Sequence, residues 1–372
     1  MSKRVIRQFL FLALAAVTVV PQTQAQLPHA PAPTQSSQPQ QNSPAQAPGQ
    51  QPAAQSPAGP GKEQQPEQQQ PVETLKIGVN VVSIFFNVKD KHGALIPNLT
   101  KDDFTVAEDG KPQSIKYFTA ESNLPLTLGI MIDASGSQRN VLEMEKEVGG
   151  AFLKQILTDK DEAYVISFDV DVDLVQDFTR DVRRLQAALN KVKLNTGFVT
   201  GPLPGAGGGP VPTQANAGTL LYDAVYLSAH DMLAKEVGRK AMVLLTDGQD
   251  EGSKLKIQDA IEAAQKADAI VYVLLCADRG FYGMQGAFYS GEGDMRKLTE
   301  QTGGRVINVG NKFDKLREAF DQISQELRSQ YNLGYTPSNT KLDGGYRKLE
   351  IKNKQGNKIQ ARAGYYAGRS QD

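Results

Sequence analysis

Cysteine is nearly absent: the chain of 372 residues holds one, Cys276, so no internal disulfide is available. It closes the apolar run Val271 to Leu275 and reads as a small buried hydrophobe rather than a nucleophile. Histidine is scarce too. His29 lies in a Gln/Pro-rich stretch, His92 in a turn and His230 in a helical pattern, and none has the spacing of a His-based metal site or a catalytic triad. The glycine run Gly207 to Gly209 lacks the Lys-Ser/Thr of a phosphate-binding loop. An excess of either charge is missing as well, with 41 basic and 41 acidic residues. There is no basic stripe, which argues against nucleic acid as a partner. Together these absences point away from an enzyme and from a small-molecule substrate.

Apart from one stretch, no segment is apolar enough to cross a membrane. That stretch is the start of the chain. Lys3, Arg4 and Arg7 precede an apolar run from Phe9 to Val20, and Thr23-Gln24-Ala25 offers small residues where a signal peptidase reads. Residues 1–25 are therefore expected to be a secretory signal, cleaved before Gln26; an uncleaved membrane anchor is the alternative. Removing it takes three basic residues from 41 and leaves 38 against 41 acidic ones, a net charge of −3. The expected address is secreted, or periplasmic in the cell envelope.

Residues 26–73 are dominated by Gln, Pro, Ala and Ser. They offer too little apolar area to offset chain entropy, which predicts a disordered tether. From 74 to 121 the pattern is strand-like: an apolar run through Val79, Val81, Ser83, Phe85 and Val88, a strand over 103–108, a tight-turn signal at Asp109-Gly110, and a return strand over 113–118. Residues 122–330 alternate strands and helices. Apolar strands run over 126–132, 163–168, 241–245, 270–275 and 306–309, with a hairpin partner over 172–178. Helical spacing covers Val141 to Ile156, 182–192, 220–233, 257–267 and Phe313 to Leu327. The alternation predicts an α/β domain with a doubly wound, mainly parallel sheet. Strand patterns return over 331–335, 346–351 and 359–366. Each flank alone is an incomplete sheet, so the α/β domain is expected to be inserted into one small β-sandwich built from 74–121 and 331–367.

The strand 126–132 ends in Asp133-Ala134-Ser135-Gly136-Ser137. Thr219 opens a later helix, and Thr246-Asp247-Gly248 follows the strand 241–245. Parallel α/β sheets bind ligands beyond the carboxyl ends of their strands, where these residues fall. One carboxylate and two hydroxyls at alternating positions of a sharp loop suit a hard cation such as Mg²⁺, which takes oxygen donors and keeps waters. Ser135 and Ser137 have no base within reach by sequence logic and are not expected to be nucleophiles.

Asp133-x-Ser-x-Ser, Thr219 and Thr246-Asp247-Gly248 resemble, in order and spacing over about 124–330, the metal-ion-dependent adhesion site of the von Willebrand factor A family. The flanks resemble the "VWFA-related" proteins of Acidobacteria. The stretches concerned are 103–110, Gln330-Tyr331-Asn332-Leu333-Gly334-Tyr335 and Arg362-Ala363-Gly364-Tyr365-Tyr366. The resemblance implies a centre for Mg²⁺, with Mn²⁺ or Ca²⁺ as alternatives. Ser135, Ser137 and Thr219 would be direct ligands, and Asp133 and Asp247 would act mainly through water. The last position would go to an Asp or Glu of a protein partner. The implied function is a protein-binding module of the adhesion type; the alternative is a structural subunit of an envelope assembly. Two further features carry expectations. Phe281, Tyr282, Phe288 and Tyr289, in a loop over 278–293, are candidate partner anchors. Asp169, Asp171 and Asp173 are spaced like a Ca²⁺ cluster or a plain hairpin tip.

Overall fold

The computed structural model describes residues 81–121, 124–195, 198–199, 213–214, 218–276 and 291–369. The expected signal, the tether and the four candidate anchors Phe281, Tyr282, Phe288 and Tyr289 lie outside these residues, as does the glycine run Gly207 to Gly209. Among the described residues, no helix is long and apolar enough to cross a membrane.

Four strands precede the α/β unit: β1 (Val82–Lys89), β2 (Phe104–Glu108), β3 (Lys111–Gln113) and β4 (Ile115–Glu121). The unit then runs β5 (Leu126–Asp133), α1 (Leu142–Ile156), β6 (Glu162–Phe168), β7 (Val172–Thr179) and α2 (Val182–Lys191). A two-residue pair, β8 (Phe198–Val199) and β9 (Thr213–Gln214), precedes α3 (Leu221–Leu227), β10 (Arg239–Thr246), α4 (Ile257–Lys266) and β11 (Ala269–Leu275). The unit closes with α5 (Glu292–Thr302), β12 (Val306–Asn308) and α6 (Phe313–Arg328), before β13 (Gln330–Tyr335), β14 (Tyr346–Asn353), β15 (Lys358–Ala361) and β16 (Gly364–Tyr366).

The central sheet has the order β12-β11-β10-β5-β6-β7. All neighbours are parallel except the β6–β7 hairpin. Strand β5 is buried along all eight residues, as a parallel strand covered on both faces must be. Its alternate residues feed two cores. Leu126, Leu128, Ile130 and Ile132 pack with α1, α2 and α6, whereas Met131 packs with α3, α4 and α5 on the other face. A doubly wound α/β architecture is thus present. Helix α5 carries no long apolar stripe, burying only Met295, Leu298, Thr299 and Thr302, and sequence patterning missed it. The i, i+3 pair Met295–Leu298 and the left-handed Gly303 just beyond its end were its available signals.

The flanks form two four-stranded antiparallel sheets, β15-β1-β13-β4 and β16-β14-β2-β3. Each sheet takes strands from both sides of the α/β unit, and one apolar cluster joins them, from Ile84, Phe86 and Phe104 to Tyr331, Tyr335 and Leu349. Phe104 of one sheet meets the Phe86 ring of the other edge-to-face at 5.2 Å. Two expected strands are each split in two. Lys111–Gln113 completes the tight hairpin with β2, where Asp109 and Gly110 both take positive φ. After Ser114 the chain crosses to pair β4 with β13, with a register shift at Gly334/Tyr335. Likewise 359–366 divides at Arg362 and Ala363 between the two sheets. Arg362 there binds Asp268 at 2.6 Å and the Ser83 carbonyl at 2.7 Å, so the break joins the flanking strands to the α/β unit. Glu326 of α6 makes a second junction, accepting from Lys89 at 2.7 Å, Arg305 at 2.8 Å and Gln360 at 3.0 Å.

Between the two flanking sheets, Glu108 is 2% exposed and accepts from the Tyr335 hydroxyl at 2.7 Å and the Tyr365 hydroxyl at 2.8 Å. Tyr335→Phe removes one donor from this buried carboxylate. The expected cost is about 1–2 kcal/mol, a fall of a few degrees in melting temperature; an unchanged melt would mean that Tyr365 alone satisfies Glu108.

Candidate metal centre

The sequence places Asp133 at the end of β5, Thr219 just before α3, and Asp247 one residue beyond β10. Strands β5 and β10 are adjacent and parallel, so the three segments meet at one edge of the sheet, beyond its carboxyl ends. Asp133 is not a loop residue, as a break after Ile132 predicts. It is the last residue of β5 and is fully buried. Both its oxygens are engaged: Oδ1 accepts from the Ser135 N–H at 3.0 Å, and Oδ2 from the Thr246 hydroxyl at 2.6 Å. Thr246 in turn accepts from the Gly248 N–H at 3.0 Å. Burial, and next the Asp247 carboxylate, raise the Asp133 pKa to about 7 against the opposing pull of the Ser135 and Thr246 hydrogen bonds.

The Ser135 and Ser137 hydroxyls lie 2.9 Å apart, side by side. Ser135 is 8% exposed, Thr219 6% and Asp247 5%, so the edge is a recess. Thr219 is held by reciprocal backbone bonds with Glu251 at 3.0 and 2.9 Å, in the loop that begins at Asp247. The Leu220 N–H donates to the Asp169 carbonyl at 2.7 Å. Asp247 Oδ1 accepts from the Gln249 N–H at 3.0 Å. The five residues singled out in the sequence therefore share one locale. Ser135 and Ser137 touch, Asp133 reaches the Asp247 loop through Thr246, and Thr219 is fixed to that same loop.

Three further residues belong to this locale: Thr246, quoted in the motif but not as a site residue, and two that were not singled out. Thr246 bonds Asp133. The Gln138 amide is fully buried and lies between the Cys276 carbonyl and the Asp247 N–H, 3.1 Å from each, bonding both when its nitrogen faces the carbonyl. Glu145 of α1 is fully buried, and neither of its carboxyl oxygens makes a hydrogen bond. Its sequence signal is an acid among Val141, Met144, Val148 and Phe152, on a helical face that is otherwise apolar. Cys276 is buried as expected, and burial, with Glu145 beside it, pushes its thiol pKa well up. It offers no soft thiolate donor.

The donor set is one of hard oxygens from hydroxyls and carboxylates, which fits Mg²⁺ or Mn²⁺ with water completing an octahedron. Among the described residues, no three His, Cys, Asp or Glu side chains converge as a metal cluster. Asp169, Asp171 and Asp173 do not form the Ca²⁺ cluster their spacing allows. Asp169 instead accepts from the Asp171 N–H at 3.0 Å, in a hairpin tip.

No family model and no curated protein matches the chain. Solved structures do. One is described as the conserved hypothetical protein BatB from Bacteroides thetaiotaomicron, at 18% identity and a TM-score of 0.41, covering 55% of this chain and all of that one. Another is the vWF domain of the type V pili tip protein Mfa5 from Porphyromonas gingivalis, at 12% identity and 0.39, covering 54% and 94%. A third is proximal thread matrix protein 1 from the mussel byssus, described with a zinc-occupied MIDAS motif, at 14% identity and 0.41, covering 59% and 50%. Likenesses at this level assign no residue roles here.

Proposed function

We propose that the chain is a secreted or envelope-facing protein-binding module of the von Willebrand factor A type, working through Mg²⁺ and gripping an Asp or Glu of a partner protein. The observation that carries this reading is the arrangement around Asp133. A buried carboxylate with both oxygens hydrogen-bonded within the site segments accompanies two hydroxyls that lie 2.9 Å apart. Ser135, Ser137 and Thr219 hold the cation directly, and Asp133 and Asp247 orient its waters. Hydroxyl donors bring no charge, so a divalent ion held this way stays electropositive toward solvent and attracts an anionic side chain. In the same reading the two flanking sheets are one β-sandwich into which the α/β unit is inserted. The sequence pattern of both flanks, which resembles that of the "VWFA-related" proteins, supports this reading.

The test is calorimetric titration of the purified chain with Mg²⁺ and Mn²⁺, alone and with acetate or a short acidic peptide. Uptake of one ion, strengthened by the carboxylate, is the expected result. No heat under any of these conditions removes the reading. Partner capture with and without chelator then separates it from a constitutive scaffold, because a scaffold subunit stays bound in chelator.

A further inference from the structure

Gln138 follows the second serine of the site loop directly, and its side chain is fully buried. Its backbone is fixed from both sides. Its N–H donates to the Ser135 carbonyl at 3.0 Å, and its carbonyl accepts from the Val141 N–H at 3.0 Å. In the amide orientation that satisfies both neighbours, the nitrogen donates to the Cys276 carbonyl and the oxygen accepts from the Asp247 N–H; the opposite orientation would set oxygen against oxygen and N–H against N–H. The Cys276 N–H donates to the Thr246 carbonyl at 2.9 Å. The Thr246 carbonyl and the Asp247 N–H belong to one peptide unit, so that unit is gripped on both sides. Cys276 holds its oxygen and Gln138 holds its N–H. A planar unit with both groups bound has its orientation set, and with it the direction in which Asp247 leaves the backbone. Thus one side chain ties together the segments that follow β5, β10 and β11. A buried amide is costly unless satisfied, and an apolar side chain of the same size fills this space at less risk.

We propose that Gln138, not itself a ligand, is the positioning residue that sets which size of cation the centre accepts. The proposal rests on the metal reading above. Mg²⁺ demands a near-ideal octahedron at about 2.0–2.1 Å, whereas Ca²⁺ tolerates six to eight oxygens at about 2.3–2.6 Å in loose geometry. A rigidly held Asp247 favours the small ion. A released one leaves the large ion nearly unaffected.

The test compares the full wild-type chain with Gln138→Met, a volume-conserving change. Mg²⁺ and Ca²⁺ are titrated separately by calorimetry, and melting is followed in parallel. Wild type is expected to prefer Mg²⁺. In the variant Mg²⁺ affinity is expected to fall about 10–100-fold, as for other residues that orient metal ligands, while Ca²⁺ affinity changes by less than about threefold. Equal loss for both ions marks a merely structural role and overturns the proposal, as does an unchanged ratio. Amide hydrogen exchange on the wild type supplies a second arm that needs no variant. The Asp247 N–H is expected to be protected, and exchange as fast as in exposed loops overturns the strut. A wild type with a protected Asp247 N–H that takes up neither ion removes the metal reading itself, and the selectivity role with it.

Discussion

Asp133→Asn is expected to weaken Mg²⁺ uptake by roughly 100-fold or more while leaving the fold intact. The substitution keeps shape and removes charge. One carboxylate about 4 Å from a divalent cation is worth on the order of 8 kcal/mol before solvent and counter-charges offset it, at an effective dielectric near 20, and groups that orient metal ligands commonly carry 10–100-fold. Stability responds differently. The metal-free protein bears the cost of a buried carboxyl whose pKa stands near 7, and an amide escapes it. Asn still offers an oxygen to the Ser135 N–H and places a donor near the Thr246 hydroxyl, which loses its own acceptor. The two effects oppose, so melting should move by only a few degrees. Asp133→Ala is the poorer test, because it takes away the acceptor to which the Thr246 hydroxyl and the Ser135 N–H each donate, in a buried space, at about 1–3 kcal/mol each. Calorimetry beside a thermal melt decides. If Asp133→Asn melts like wild type and binds Mg²⁺ equally well, Asp133 has no part in holding a cation.

The α/β unit was legible because its strands are short apolar runs and its helices carry broad apolar stripes; β5 and α6 are the clearest cases. Helix α5 was hidden because its buried side comes down to Met295, Leu298 and two threonines, and threonine reads as loop or surface. The flanks were legible as strands and not as connections. Periodicity does not mark where a strand leaves one sheet for another, and both crossings, at Ser114 and at Arg362-Ala363, are settled by long-range pairing. The site divides in the same way. Asp133, Ser135, Ser137, Thr219 and Asp247 announce themselves through spacing and strand ends. Gln138 and Glu145 act through what they meet across the fold, at separations from 109 to 138 residues: Gln138 meets Cys276 and Asp247, and Glu145 lies beside Cys276. No local pattern encodes such meetings.

Glu145→Met is expected to raise the melting temperature of the metal-free protein, by an amount that grows with pH. Glu145 is fully buried on α1 without a hydrogen bond to either oxygen. The Cys276 thiol beside it is a weak donor. Burial pushes the Glu145 pKa up to about 8 against the opposing pull of that thiol, with the Asp133 and Asp247 carboxylates adding smaller upward contributions. The sign follows from linkage. A carboxyl whose pKa is higher folded than unfolded binds its proton more tightly in the native state. Its contribution is whole below the unfolded value near 4.5 and is lost as pH rises toward 8. The gap corresponds to on the order of 5 kcal/mol at most, or roughly 2–4 °C per kcal/mol for a domain somewhat smaller than this one. Wild type should therefore lose stability between about pH 5 and 9, and Asp133 adds in the same direction. Carboxylates held low by cations or hydrogen bonds, such as Glu326 and Asp161, lose their stabilisation only as pH falls and stay outside this window. Methionine fills nearly the same volume with no charge to desolvate. The difference in melting temperature between Glu145→Met and wild type, measured in chelator at pH 5, 7 and 9, isolates the one group. It should be small at pH 5 and largest at pH 9. A difference that stays flat with pH would mean that Glu145 keeps its proton throughout, and a variant less stable at every pH would mean that its carboxyl holds the space behind the recess together.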